Sequence, residues 1–263
     1  MLTLNHKVFG TSYGERPPLI ILHGLFGMLD NWQTVGKEVA ERCSLKVYVI
    51  DQRNHGKSPH TVDFNYNLLV DDLYDFMEQQ SIPTAYILGH SMGGKVAMQF
   101  AVDNPEKVEK LIVVDIAPKV YPAGHEAIFR ALLSLKLDKI TSRKMAEAAL
   151  SSHLSSQAVR QFLLKNLSRN RAGTYDWKFN LEVLHEHYEE ILGNTINPYY
   201  EFDKEVLFVK GELSARYILP EEDWDVILLT FPNAKLVNIK GAGHWIHAEQ
   251  PAAFLVALCD FLA

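Results

Sequence analysis

Short apolar runs alternate with stretches whose apolar residues recur every three or four positions through the first half of the chain. Leu19-Ile20-Ile21-Leu22 and Leu45-Lys46-Val47-Tyr48-Val49-Ile50 read as buried strands. Between them, Trp32 to Ala40 reads as a helix, with Asp30-Asn31 offering its N-cap. From Tyr66 to Gln79, Leu69, Leu73, Phe76 and Met77 return at helical spacing. Ala85 to Leu88 predicts a strand, Met92 to Val102 a helix ended by Asp103-Asn104-Pro105, and Leu111 to Val114 a further strand. Strand and helix alternating in this order imply a parallel sheet with helices on both faces.

Beyond Ala117 the pattern changes. As far as Asp203 no run has the period of a strand, and Ala127 to Leu135, Arg143 to His153 and Gln157 to Asn166 read as helices. Val206 to Val209 and Leu236 to Ile239 restore the strand pattern. The chain closes on an amphipathic helix, with Pro251 near its first turn and Phe254, Leu258 and Phe261 on one face. The prediction is an α/β core over residues 1–116 and 204–263, interrupted by a helical cap over 117–203. No internal repeat or low-complexity tract breaks that plan.

At 263 residues the chain is long enough for one large α/β domain with an insertion. The net charge of −6 and the absence of any Lys/Arg run speak against a nucleic-acid partner. The predicted cap holds 11 Lys/Arg and 10 Asp/Glu, against 15 and 22 elsewhere, so the acidity belongs to the core. That hints at something anionic facing the cap, although a solvated helical surface is the simpler reading. No apolar run reaches membrane-spanning length, and Met1 to Tyr13 lacks a charged-then-apolar leader pattern. The expectation is a cytoplasmic protein. Cys43 and Cys259 lie far apart and read as two buried free thiols rather than a disulfide.

The most specific word in the chain is Gly89-His90-Ser91-Met92-Gly93, directly after the apolar run Ala85 to Leu88. A serine that turns sharply from strand into helix lifts its hydroxyl clear of the backbone, and that crowded turn needs glycine at the flanks. Serine is a weak nucleophile unless a base takes its proton, an acid orients the base and donors meet the oxyanion. His244, in Gly241-Ala242-Gly243-His244-Trp245 just after the last strand, is the base candidate, with His247 its competitor. His90 adjoins the serine and reads as structural. The oxyanion donors should be main-chain N–H groups: Met92, next after the serine, and Leu25 or Phe26 in His23-Gly24-Leu25-Phe26-Gly27, which follows the first strand.

These words resemble the α/β-hydrolase superfamily over essentially the whole chain. Within it, the likeness is to the small bacterial YbfF-type esterases. It rests on the two glycine words above, on Asp51-Gln52-Arg53-Asn54-His55-Gly56-Lys57-Ser58, on Asp115-Ile116-Ala117-Pro118 and on Gly243-His244-Trp245-Ile246-His247-Ala248-Glu249. The resemblance implies an eight-stranded, mostly parallel core with a helical cap. It also implies hydrolysis of carboxylic esters, with acyl-CoA thioesters as further substrates and no cofactor. The partner expected is thus a small acyl ester or thioester.

The acid departs from the commoner superfamily pattern. Most relatives place an aspartate after the strand that follows the cap, but here that loop reads Gly211-Glu212-Leu213-Ser214, with serine in its place. Asp115 ends an earlier strand, 24 residues after Ser91, where YbfF-type esterases place their acid. The carboxyl ends of parallel strands are where such sheets hold their chemistry. Asp115 is the reading, with Glu212 the alternative.

Asp51 and Arg53 read as ordering their own loop, and Lys95 as a surface or packing residue. Trp177, Tyr175, Phe179 and Tyr121 suit an acyl pocket or the cap's own core equally. His185-Glu186-His187 has the wrong spacing for a helical metal pair, and no phosphate loop is present, so no metal or cofactor is expected. The constellation predicts a serine esterase or thioesterase. Two alternatives stand beside it: C–C bond hydrolysis with the same residues, and a ligand receptor that keeps the fold without turnover.

Overall fold

The computed structural model describes residues 1–11, 16–170, 173–194, 196 and 200–263. The leader reading of Met1 to Tyr13 thus falls partly on Ser12 and Tyr13, outside the described residues. The core elements are β1 (His6–Phe9), β2 (Leu19–Leu22), α1 (Gln33–Arg42), β3 (Val47–Ile50), α2 (Tyr66–Gln79), β4 (Ala85–His90), α3 (Met92–Asp103) and β5 (Val108–Val114). Next come α4 (Glu126–Ser134), α5 (Arg143–Ser151), α6 (Gln157–Leu164), β6 (Leu167–Arg169), β7 (Tyr175–Trp177), α7 (Leu181–Glu186) and α8 (Tyr188–Leu192). The chain ends with β8 (Val206–Gly211), α9 (Pro220–Thr230), β9 (Ala234–Ile239), α10 (Ile246–Glu249) and α11 (Pro251–Leu262).

Seven of these strands form one sheet in the order β1-β3-β2-β4-β5-β8-β9. All pairs are parallel except β1 with β3. Alternate residues of each central strand face opposite layers. Leu19, Ile21, Val47, Val49, Leu88 and Val114 pack under α1 and α11, while Ile20, Leu22, Ile50, Ile87, Val113 and Phe208 pack under α2, α3 and α9. Burial on both faces is why β2 and β3 read as unbroken apolar runs.

The described sheet has one strand fewer than the eight implied by the resemblance. Met1 to Asn5 does not pair as a strand. Its backbone groups go elsewhere: Asn5 N–H donates to Ser58 Oγ and Asn5 O accepts from Asp51 N–H. Asp30-Asn31 does not cap α1 either. These residues sit in a short 3-10 turn, Leu29–Asn31, and Asn31 Oδ1 accepts from Met28 N–H instead. The segment between β5 and β8 is helical as expected, but it also holds the two-stranded β6–β7 hairpin, whose three-residue strands leave no readable period.

The chain leaves β2 toward β3 on one side and β4 toward β5 on the other, so the loops after neighbouring β2 and β4 diverge. This topological switch opens a crevice at the carboxyl ends of the strands. Helices α4 to α8 lie against the loops that line it. Asn166 Nδ2 donates to Phe26 O, Asn180 N–H to Asn54 O, and Tyr66 Oη to Ile191 O.

Candidate active site

Ser91 stands between β4 and α3 at φ 54°, in the left-handed region. A Cβ on Gly89 would collide with the Gly93 main chain, and one on Gly93 with the carbonyls of Leu22 and His23. Strand and helix therefore meet too closely for any side chain, which is why the flanking positions are glycine. Six described non-glycine residues have positive φ, and Phe26, Ser91 and Asp115 are three of them. Such strain persists only where surrounding contacts over-determine it, and three of the six instances lie at this crevice.

Asp115 follows β5 and is fully buried. Its Oδ2 accepts from His244 Nδ1 at 2.7 Å and from Ser214 Oγ at 2.5 Å, and its Oδ1 from Gly211 N–H at 3.2 Å. A carboxylate only accepts, so the hydrogen sits on His244 Nδ1 and leaves Nε2 unprotonated. Burial pushes the imidazole below its ordinary range, and the positive charge of Arg216 adds to this. Burial pushes the Asp115 carboxyl up, opposed by Ser214, Gly211 and the charge of Lys210. A neutral imidazole with a free Nε2 is the form that can take a proton.

The ring of His244 is held in place. Tyr217 stacks on it, with centroids 3.8 Å apart, and His90 Nε2 donates to the His244 carbonyl at 2.9 Å. His90 is thus occupied with main chain, in keeping with a structural reading. The competitor His247 stacks on Trp32 at 4.0 Å, and its Nδ1 finds no hydrogen-bond partner among the described residues. Glu212 turns to Gly241 N–H at 2.8 Å and does not reach His244.

Ser91 and His244 line one cavity of about 230 Å³, walled by Phe26, Ile128, Val159, Phe162 and Trp245. No hydrogen bond joins Ser91 to His244 in this state, and such bonds are commonly long until substrate is bound. A second space of about 30 Å³ opens on the other side of Ser91, lined by Lys95, Tyr121, Arg216 and Tyr217. Leu25, Ser91, His125 and Tyr217 line both. The N–H groups of Leu25 and Phe26 have no protein acceptor among the described residues. Met92 N–H opens α3, where main-chain donors lack helical partners.

Other readings are refined. Trp177 and Phe179 stack on each other at 5.3 Å, and neither they nor Tyr175 line the two spaces beside Ser91; Tyr121 lines the smaller one. Lys95 is no surface residue. It is 3% exposed, and its Nζ donates to the carbonyls of Leu192, the last residue of α8, at 2.9 Å and of Gly193 at 2.5 Å. Asp51 accepts from Leu29 N–H, Lys57 N–H and Asn5 Nδ2, and Arg53 pairs with buried Asp72 through two nitrogens at 2.6 and 2.8 Å, so both order their loop. Among the described residues no His, Cys, Asp and Glu side chains group as metal ligands would. No described helix is long and apolar enough to cross a membrane.

Sequence reasoning missed His125. Tyr188 Oη accepts from the N–H groups of Gly124 at 3.0 Å and His125 at 2.8 Å, so its own hydrogen goes to His125 Nδ1 at 2.9 Å. His125 is thereby fixed as the Nε2–H tautomer. Nothing in the one-dimensional pattern brings His125 to Tyr188, since the contact exists only across the helices between β5 and β8.

The family model for the alpha/beta hydrolase fold matches residues 17–251. The chain is 38% identical to the sn-1-specific diacylglycerol lipase ABHD11 of Danio rerio, over 99% of this chain and 83% of that protein. It is 36% identical to the esterase YbfF of Escherichia coli, over 93% and 92% of the two chains. A solved marine microorganism esterase superposes with a TM-score of 0.93 at 41% identity, covering 99% of this chain and 100% of that one. Sheet, crevice and matched sequence agree: the chain belongs to the α/β-hydrolase fold family.

Proposed function

We propose that the chain is a serine hydrolase of carboxylic esters, with acyl-CoA thioesters among its substrates. Diacylglycerol lipase and esterase both name cleavage of carboxylic esters, and that shared chemistry is what we carry to this chain. One observation supports the reading above all others. Asp115 and His244, 129 positions apart, hydrogen-bond at 2.7 Å beside Ser91.

Ser91 Oγ attacks the acyl carbonyl as His244 Nε2 takes its proton. Asp115 holds the ring and stabilises the imidazolium that forms. The Leu25 and Met92 N–H groups meet the oxyanion, each worth about 3 kcal/mol in the transition state. The imidazolium gives its proton to the leaving alcohol or thiol. Water, activated by the same base, then releases the acyl group from Ser91. Residues 117–203 act as the cap, contributing Ile128, Val159 and Phe162 to the apolar wall.

The larger space is about eight water volumes, by the ~30 Å³ each occupies in the liquid, and suits a short acyl chain. The test is a panel of p-nitrophenyl esters and acyl-CoA thioesters. Butyrate should be cleaved at least about tenfold more efficiently than laurate, because the longer chain's additional methylenes do not fit this space. Butyryl-CoA should be cleaved as well. No hydrolysis of any member would contradict the reading, and equal rates across the chain lengths would contradict the assignment of the acyl space.

A further inference from the structure

The two cysteines meet where α1 and α11 pack together. Cys43 caps the C-terminus of α1 and Cys259 lies on α11, and the two helices pack side by side on one face of the sheet. Their sulfurs are 2.8 Å apart although 216 positions separate them. Both thiols are free, as expected, but half-buried rather than buried. A disulfide needs about 2.0 Å between sulfurs, so side-chain rotation of under about 1 Å closes the gap. A second contact fixes the approach independently. Arg16 donates to Cys43 O at 3.0 Å and to Leu262 O at 2.5 Å, tying together the same two helix ends.

We propose that Cys43 and Cys259 are a disulfide-forming pair, oxidised by exchange with a low-molecular-weight disulfide such as glutathione disulfide, and that the oxidised chain is the more heat-stable form. The thiolate of one cysteine attacks a sulfur of the reagent, whose S–S bond breaks and releases one thiol. The second cysteine displaces the resulting mixed disulfide and releases the other. The protein loses two protons and two electrons, and the reagent gains both as two thiols. Burial, followed by the neighbouring Cys259 sulfur, pushes the Cys43 thiol up to about 12, against the charges of Arg16 and Arg42. Exchange is therefore slow at neutral pH and faster in mild alkali.

The cross-link spans most of the chain, the case in which it most restricts the unfolded ensemble. It also fastens the layer behind the histidine loop. Trp32, just before α1, packs edge-on to Phe254 of α11 and stacks on His247. Neither cysteine lines the space beside Ser91, so hydrolysis at room temperature is the same in both forms.

The test uses the full chain, natively folded, incubated with excess glutathione disulfide at about pH 8.5. The expected product has a mass lower by two hydrogen atoms, no titratable thiol after denaturation, and a Tm raised by about 5–15 °C, reversed by dithiothreitol. Cys259→Ser should take one glutathione and gain no Tm. Two retained thiols, two glutathione adducts, a disulfide-linked dimer, or an internal disulfide with unchanged Tm would each overturn the proposal. None of these outcomes touches the hydrolase reading, which depends on Ser91.

Discussion

Ser214 occupies the position where the commoner pattern puts the acid, and its hydroxyl donates to the carboxylate that has moved one strand along. In the proposed relay the loop after β8 serves as a donor to Asp115 rather than as the source of the acid. Asp115→Asn should lower turnover by about 10⁴-fold with the fold intact, because the amide favours the wrong His244 tautomer. Glu212→Gln should leave turnover within a few-fold, since Glu212 holds only Gly241 N–H. Steady-state kinetics beside circular dichroism checks both, and the reverse ranking would remove Asp115 from the relay. A charge effect can be read separately. In the proposed mechanism His244 acts as a neutral base, so activity should be present above its pKa and lost as pH falls through it. Burial and then Arg216 push that pKa below the ordinary imidazole range, so the acid limb of kcat/KM lies below about pH 6.5. Arg216→Gln removes one of the two causes and should move the limb to higher pH. A limb that stays put would mean that Arg216 does not act on His244.

Ser91 was legible at this scale because its neighbours are dictated locally: only glycine fits where β4 and α3 meet. His244 and Asp115 were legible by address, at the ends of strands. Tyr217, Arg216 and His125 were not, because each reaches the crevice through packing between elements that no local pattern relates.

At the scale of elements, strands buried on both faces declared themselves, and of the two edge strands of the sheet β9 was read but β1 was not. β1 has four residues and exposes much of its surface, so its period is too short to see. α9 fills the β8–β9 crossover but was missed, since its acidic first turn and mixed faces blur the helical stripe. The loop after β3 is held to α2 by the Arg53–Asp72 pair, with side chains 7% and 5% exposed. Asp72→Ala leaves the guanidinium charge buried without its carboxylate, with only the Asp63 carbonyl at 3.3 Å still accepting from it, and should cost about 3–5 kcal/mol, measured by denaturant unfolding. A cost below about 1 kcal/mol would place the pair in effective contact with solvent.

At the scale of the whole molecule, the alternating pattern carried the mostly parallel sheet, because that follows from strand and helix order. It did not carry the shape of the space beside Ser91. That space is made where the 117–203 helices rest on the loops after β2 and β4, through contacts such as Asn166 to Phe26 and Lys95 to the end of α8. The central claim is that all chemistry passes through one hydroxyl at the centre of this arrangement. Hydrolysis of p-nitrophenyl butyrate by the wild type beside Ser91→Ala, with both folds verified by circular dichroism, tests it most directly. The account predicts rapid wild-type turnover reduced by about 10⁴-fold or more in the variant. A folded Ser91→Ala chain that hydrolyses the ester at the wild-type rate would contradict it.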